Sequence, residues 1–204
     1  NSALGLTVPA MERAEITVAR WAEYVEVVSD AAGYVFRGQA NALWSLTTSI
    51  ERAAIARRHS PRTLLARESA TLESFSKKFD LYSAGLERPA SRVEALALLQ
   101  HHGCATRLLD FSYSPYVAAH FAVNLAFDTA AIWLVNLSHL KFAAGTPTTN
   151  TDKHFREVLE RVLSRAPADG FAPKVIPVNL ARLSPRVAKQ QAMFLAPMAL
   201  NADN

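Results

Sequence analysis

Apolar residues along this chain fall at helical spacing in some stretches and in short unbroken blocks in others, and the two periods divide it into expected helices and strands. Over residues 7–29, Ile16, Val18, Ala19, Trp21, Ala22, Tyr24, Val25 and Val28 give the pattern of an amphipathic opening helix. Gly33 interrupts it, and Tyr34, Val35 and Phe36 make a short β-prone run that delivers Arg37, Gly38 and Gln39 at its end. Residues 41–50 read as loop and short helix, after which the chain turns basic at Arg52, Arg57, Arg58 and Arg62.

Ser60-Pro61 opens a longer helix over 62–82, with positions 64, 65, 68, 72, 75 and 79 on its inner face and Gly85 and Pro89 beyond its end. Ser91 and Glu94 have capping-box spacing, so a further helix runs from there to His101 and stops at Gly103. Ser114-Pro115 repeats the start signal for a helix that buries Val117, Ala118, Phe121, Ala122 and Leu125. The apolar block 130–136 reads as a strand covered on both faces and central in its sheet. Residues 139–151, rich in Gly, Pro, Thr and Asn, read as a surface loop bordering the site, and 152–163 as helix. Short strands are expected at 174–176 and 192–196, the second entered through Lys189, Gln190 and Gln191.

The 204 residues are half apolar and one-fifth charged, enough to bury the core of one domain over 1–204 with mixed helix and strand. The net charge of +4 favours an anionic contact such as nucleotide phosphates, nucleic acid or an acidic protein, although the basic residues are scattered. Nucleic-acid binding would need the basic residues of 52–62 to line the same cleft as the other polar groups. The single cysteine, Cys104, rules out an internal disulfide framework and fits a reducing compartment. No run approaches the roughly 18 apolar residues that span a bilayer, so no membrane contact is expected. The first residue is Asn, which fits a fragment or a processed form.

Candidate chemistry concentrates in residues 101–121, where histidines, an arginine, an aspartate and serines crowd a connection between two helices. His101 and His102 point about 100° apart on a helix, so they do not form a zinc pair, and no metal is expected. Cys104 reads either as a thiol nucleophile or as a small buried hydrophobe. No glycine-rich phosphate loop of common spacing occurs. Arg37 offers a planar fork of donors to a diphosphate or carboxylate, and Gly38 beside it lets a ligand approach the backbone; the alternative is a pair with Asp110 or a glutamate. Arg107 and Asp110, three residues apart, form an ion pair at the bend or brace a ligand. His102 is a general base or a partner of the Asp110 carboxylate. Ser114 is a helix N-cap, which leaves Ser112 as the better functional candidate, and Trp44 is expected in the core.

Residues 36–39, FRGQ, followed by Trp44 and Leu46, and then 98–123, LLQHHGCATRLLDFSYSPYVAAHFAV, resemble the FRG domain family. A late pattern of that family is similar to residues 186–194, with Ala192 where the family commonly has Gly, so the anchors span about 34–196. The blocks also resemble, in order, those of ADP-ribosyltransferases of the arginine–serine–glutamate type. That resemblance implies an α+β fold with a split β-sandwich core and a helical N-terminal layer, NAD as co-substrate, and transfer of ADP-ribose with release of nicotinamide.

It also implies roles. Arg37, with Gly38, Gln39 and Arg107, holds the diphosphate; Ser112, Tyr113 and Ser114 brace the nicotinamide ribose; Tyr113 or Trp44 stacks on nicotinamide. The glutamate position falls on Gln191, or on Gln190 with a one-residue slip, so Asp110, Glu68 or His102 is an alternative catalytic group. The expected activity is therefore mono-ADP-ribosyl transfer to a protein or nucleic-acid acceptor, by an effector or toxin domain acting in a cytoplasm and governed by an immunity or regulatory partner. NAD hydrolysis and NAD or nucleotide sensing without turnover are the alternatives.

Overall fold

Polar side chains at the helix starts organise the chain locally. The computed structural model describes residues 14–83, 85, 87–126, 128–144, 151–164, 175–180 and 191–200. Its helices are α1 (Trp21–Ser29), α2 (Ser49–Ile55), α3 (Pro61–Tyr82), α4 (Arg92–His101), α5 (Pro115–Val123), α6 (Leu137–Ala143) and α7 (Thr151–Ser164). Thr48, Ser60, Ser91 and Ser114 each accept a backbone N–H of the first turn that follows, which satisfies donors the helix itself leaves unpaired. The starts of α3, α4 and α5 thus fall where their Ser-Pro and Ser-x-x-Glu signals put them.

The strands are β1 (Tyr34–Gln39), β2 (Leu109–Ser112), β3 (Ala131–Asn136), β4 (Val175–Val178) and β5 (Ala192–Pro197). They form one five-stranded sheet in the order β3-β1-β2-β5-β4, with every neighbouring pair antiparallel. Side chains alternate across it. On one face Phe36, Ile132 and Leu134 meet Tyr24, Val28, Ala118 and Ala119 of α1 and α5. Further along that face, Phe194, Ala196, Ile176 and Val178 meet Leu72, Leu96, Phe155 and Leu159 of α3, α4 and α7. The opposite face gathers Val35, Leu109, Phe111, Met193 and Leu195 with Leu140 of α6.

Several expectations are corrected here. The block expected at the centre, β3, is an edge strand with all six residues half-buried. The central place belongs to β2, which was read as connection because its four residues include Asp110 and Ser112 and make too short a run for a strand signal. The opening helix begins only at Trp21: the Glu23 carboxylate accepts the N–H groups of Ala19 and Arg20 and closes its first turn, so 14–19 are not helical. Residues 7–13 lie outside the described residues. The expected loop after His139 begins as helix α6, and 145–150 are not described. Among the described residues no helix is long and apolar enough to cross a membrane.

Tyr24 ties α1 to the start of α5 by donating its hydroxyl to the Pro115 carbonyl at 2.7 Å. Burial, helped by nearby Tyr116, pushes its phenol up to about 12 from 10.0. The folded state therefore favours the neutral phenol: its contribution is complete below the unfolded value and is lost as pH climbs from 10 towards 12. Urea unfolding of Tyr24→Phe should fall less steeply over that interval than wild type, although the variant starts about 1 kcal/mol lower for the missing hydrogen bond.

At Gly38 a β-carbon would lie 1.9 Å from the Ala118 carbonyl oxygen and 2.6 Å from the Ala122 nitrogen. Neither backbone atom can move without lifting α5 off β1. Gly38→Ala should cost about 3 kcal/mol or more in urea unfolding. A loss under about 0.5 kcal/mol would show that this contact is soft.

Candidate binding cleft

β1 is fully paired with β3, from Tyr34 opposite Asn136 to Gln39 opposite Ala131, whereas β1 and β2 share the single register pair Phe36–Ser112. The two strands part beyond it. A side chain bridges the opening: Arg37 Nη1 donates to the Asp110 carbonyl at 2.8 Å. A cleft of about 1440 Å³ enters at this gap. Arg37, Gly38 and Gln39 line it, with Asp110 and Ser112 of β2, Phe121 of α5, Arg52 and Ile55 of α2, the 40–45 loop, and Asp128.

Gln39, the last residue of β1, is buried and holds the cleft's two sides in register. Its Oε1 accepts Trp133 Nε1–H at 2.6 Å, and its Nε2 donates to the Ser45 carbonyl at 3.3 Å. The loop is pinned further by Leu43 N–H to Asn41 Oδ1 at 2.8 Å and by Ala42 N–H to the Thr129 carbonyl at 2.9 Å. Trp44 is consequently 57% exposed on the rim, a correction to its expected place in the core.

Arg37 is the least satisfied group of the cleft. Its Nε is buried and has no hydrogen-bond partner. Burial pushes the guanidinium below its ordinary pKa; Asp110 pulls it back up, and Arg52 pushes it down again. Gly38 serves the fold rather than ligand approach alone, since the space above it is filled by the α5 backbone.

The segment before β2 is fastened from several sides. Thr106 N–H donates to Ser49 Oγ at 2.9 Å and the Thr106 carbonyl accepts Ile50 N–H at 3.2 Å. The Thr106 hydroxyl donates to Gln100 Oε1, and Gln100 Nε2 donates to Asp110 Oδ2 at 2.9 Å. Asp110 is thereby oriented by α4. Arg107 is 1% exposed and turns away from Asp110. Its Nε donates to both Glu68 carboxylate oxygens at 3.0 and 2.8 Å, its Nη2 pairs with Glu68 Oε2, and its Nη1 reaches the carbonyls of Pro197 and Met198 at 3.2 and 3.3 Å. The expected Arg107–Asp110 pair is replaced by a buried Arg107–Glu68 pair, and neither Arg107 nor Glu68 lines the cleft.

Among the serines, Ser112 is buried on the cleft wall and its Oγ accepts Ser114 N–H at 3.0 Å, while Ser114 Oγ caps α5 and does not line the cleft. The Tyr113 hydroxyl donates to Asn179 Oδ1 at 3.1 Å and its N–H donates to the Gln191 carbonyl at 3.0 Å. Gln191 is exposed at the entry to β5 with a φ of 46°, and neither it nor Tyr113 lines the cleft, although Ala192 does. Gln190 lies outside the described residues, as does the 186–190 part of the late pattern. His102 ends α4 on the surface, its ring edge-on to His101 at 5.0 Å, also away from the lining. Cys104 is half-buried, and burial together with the Glu68 charge raises its thiol pKa, the opposite of an activated nucleophile.

The structure thus brings together Arg37, Gly38, Gln39, Asp110 and Ser112 and leaves out Arg107, Tyr113, Ser114, His102 and Gln191. It adds Asp128, which sequence reasoning did not assign to this site, and Arg52, which that reasoning put in the cleft only as a condition for nucleic-acid binding. Arg52 follows a Thr-x-x-Glu spacing at Thr48 and Glu51, a capping box that fixes the start of α2 and went unread in the sequence. Of the basic stretch 52–62, Arg52 lines the cleft while Arg57 and Arg58 are exposed outside it.

Residues 32–130 match the family model of the FRG domain, a segment that holds Arg37, Gly38, Gln39, Asp110 and Ser112 and supports placing it in the FRG family. No curated protein and no solved structure matches the chain.

The Arg107–Glu68 pair makes a sharp prediction about stability. Arg107→Met or Glu68→Gln leaves the partner buried and uncompensated, and each should cost about 3–5 kcal/mol in chemical denaturation. The double replacement Glu68→Gln with Arg107→Met should cost clearly less than the sum of the single losses. Additive losses would mean the two side chains do not act as a pair.

Proposed function

We propose that the cleft binds NAD and that the domain transfers its ADP-ribose to a macromolecular acceptor, with Arg37 on the diphosphate and Asp110 as the carboxylate nearest the reacting ribose. The observation that carries the proposal is Arg37 itself. A guanidinium pressed into a cleft wall with a buried, unpartnered Nε is costly as it stands, and an anionic ligand accepting from it removes that cost. NAD enters through the resemblance of the Arg37 and Ser112 blocks to ADP-ribosyltransferases. The half-exposed Trp44 on the rim offers a flat face for a base.

In the reaction the bond between nicotinamide and ribose breaks heterolytically, and its electron pair leaves on nicotinamide. Positive charge develops on the ribose, and a nucleophilic oxygen or nitrogen of the acceptor closes the new bond and gives up its proton. A carboxylate facing that charge lowers the barrier because it interacts more strongly with the transition state than with NAD. Asp110 lines the cleft and is oriented by Gln100, which suits it to this role better than the neutral Gln191 outside the lining.

One observation favours a second reading, an NAD-binding module without turnover: no glutamate occurs among the described residues lining the cleft, and the residue in the glutamate place is Gln191.

The test is incubation of the purified domain with NAD labelled in its adenylate half, with and without cell lysate, following nicotinamide release and label transfer. Transfer that vanishes in Arg37→Ala, falls at least tenfold in Asp110→Asn and survives in Gln191→Ala supports the proposal. Nicotinamide release without transfer indicates hydrolysis. NAD binding by calorimetry with neither product establishes the second reading. Loss of one charge-assisted contact, worth about 1.5–3 kcal/mol, predicts that Arg37→Ala binds NAD about tenfold or more weakly. Unaltered binding in that variant overturns both readings.

A further inference from the structure

We propose that Arg52 is the second arm of an anion clamp with Arg37, and that the clamp selects ligands carrying a diphosphate over those with a single phosphate. The proposal rests on the reading of Arg37 as the anion anchor and adds the group that determines which anion fits.

Arg52 and Arg37 come from different elements, α2 and β1, and line the same cleft. Arg52 is presented at the rim, where its Nη1 donates to the Thr47 carbonyl. Its neighbour Glu51 is turned the other way: its carboxylate accepts the Thr48 N–H at 2.9 Å and hydroxyl at 2.6 Å, inside the buried cap of α2. The cap therefore does two things at once, drawing the acid inward and setting the base towards the cleft.

In the same lining, Arg37 keeps a buried Nε without a partner. Both guanidinium groups line one cleft, and the charge of Arg52 disfavours that of Arg37. Two carboxylates share the lining. Asp110 favours the Arg37 charge while accepting a hydrogen bond from Gln100, and Asp128 lies in the segment that precedes β3. A pair of like charges lining one cleft, one of them partly desolvated, is relieved by an anion that contacts both.

A diphosphate matches this arrangement better than a lone phosphate does. Beyond the bond each makes to a backbone carbonyl, both guanidinium groups have further N–H donors, so two linked phosphoryl groups can engage both arginines at once. A single phosphate must either choose one arginine or sit between both at poor geometry. Leu43 and Trp44 of the 40–45 loop line the same cleft, which offers the loop as a surface for one nucleoside end of the ligand.

Calorimetric titration of the purified domain with inorganic pyrophosphate and with orthophosphate, at matched ionic strength, tests the clamp directly. Wild type should bind pyrophosphate at least tenfold more tightly than orthophosphate, and Arg52→Ala should abolish most of that preference. Arg52→Lys, which keeps the charge and loses the fork, should fall between them. Thermal melts establish that each variant is folded. Arg52→Gln, which removes the charge and keeps a polar N–H donor on α2, separates loss of the clamp from loss of a polar side chain there: it should behave as Arg52→Ala does.

Pyrophosphate affinity unchanged in folded Arg52→Ala overturns the proposal, as does a wild type that binds the two anions equally. Titration with NAD distinguishes the clamp from the function it rests on. NAD binding that depends on Arg37 and not on Arg52 removes the clamp and leaves the NAD reading. Pyrophosphate binding that needs both arginines, without NAD binding, keeps the clamp and removes NAD as the ligand.

Discussion

The parting of β1 from β2 is the constraint on which the site depends. Antiparallel neighbours ordinarily exchange backbone hydrogen bonds along their length, and a carbonyl left over is unfavourable unless something else donates to it. Here the shared pairing is the single Phe36–Ser112 contact, and the Asp110 carbonyl beyond it is satisfied by the Arg37 guanidinium. One bond thus does the work of a strand pairing and leaves a gap wide enough for a cleft. It also explains why Arg37 is held in place without being fully satisfied, since only Nη1 is engaged by the Asp110 carbonyl while Nε remains buried and open.

The gap persists because both strands are pinned elsewhere. β1 is held against β3 over its whole length and against the α5 backbone at Gly38. The segment leading into β2 is drawn the other way: Thr106 is hydrogen-bonded to Ser49 and Ile50 of α2, and Arg107 to Glu68 of α3 and to the carbonyls of Pro197 and Met198 at the end of β5. Closing β2 onto β1 would break a buried ion pair and a buried hydroxyl network, both more costly than a few missing strand hydrogen bonds. The helices α2 and α3 are therefore part of the machinery that keeps the cleft open, although most of their residues never face it.

Most of the elements were legible in the sequence, and the reason differs from one to the next. The starts of α3, α4 and α5 followed from Ser60, Ser91 and Ser114, because capping is a local interaction that the neighbouring residues alone decide. β2 was not legible from its own pattern, because four residues with two polar ones carry no periodicity; its strand character comes from Leu109 and Phe111 packing with Val35 and Met193, residues far away in the chain. The same non-locality misassigned β3 to the centre, since an apolar run says that a strand is covered and not which strands flank it. Within the site, Arg37 and Asp110 were legible as polar residues at a strand end and in a dense polar block. Arg107 was misjudged because its neighbour Asp110 is close in sequence while its actual partner Glu68 is 39 positions away.

This division explains why the conspicuous 98–123 block carries less chemistry than its composition suggests. Gln100 and Thr106 set the position of Asp110, Arg107 is enclosed by Glu68 and two carbonyls, and Ser114 caps a helix. Polar residues inside a fold are retained when their partners are complete, and these have their partners within the protein. What distinguishes a binding group is the opposite condition, a buried donor whose partner the protein does not supply. Among the described residues Arg37 Nε is the buried side-chain atom in that state, and it lies in the wall of the cleft. A protein that needed Arg37 only for stability would do better with a carboxylate at Nε, as Arg107 has from Glu68; the contrast between the two arginines, one enclosed and one left open, is the physical argument that the second awaits an anion from outside.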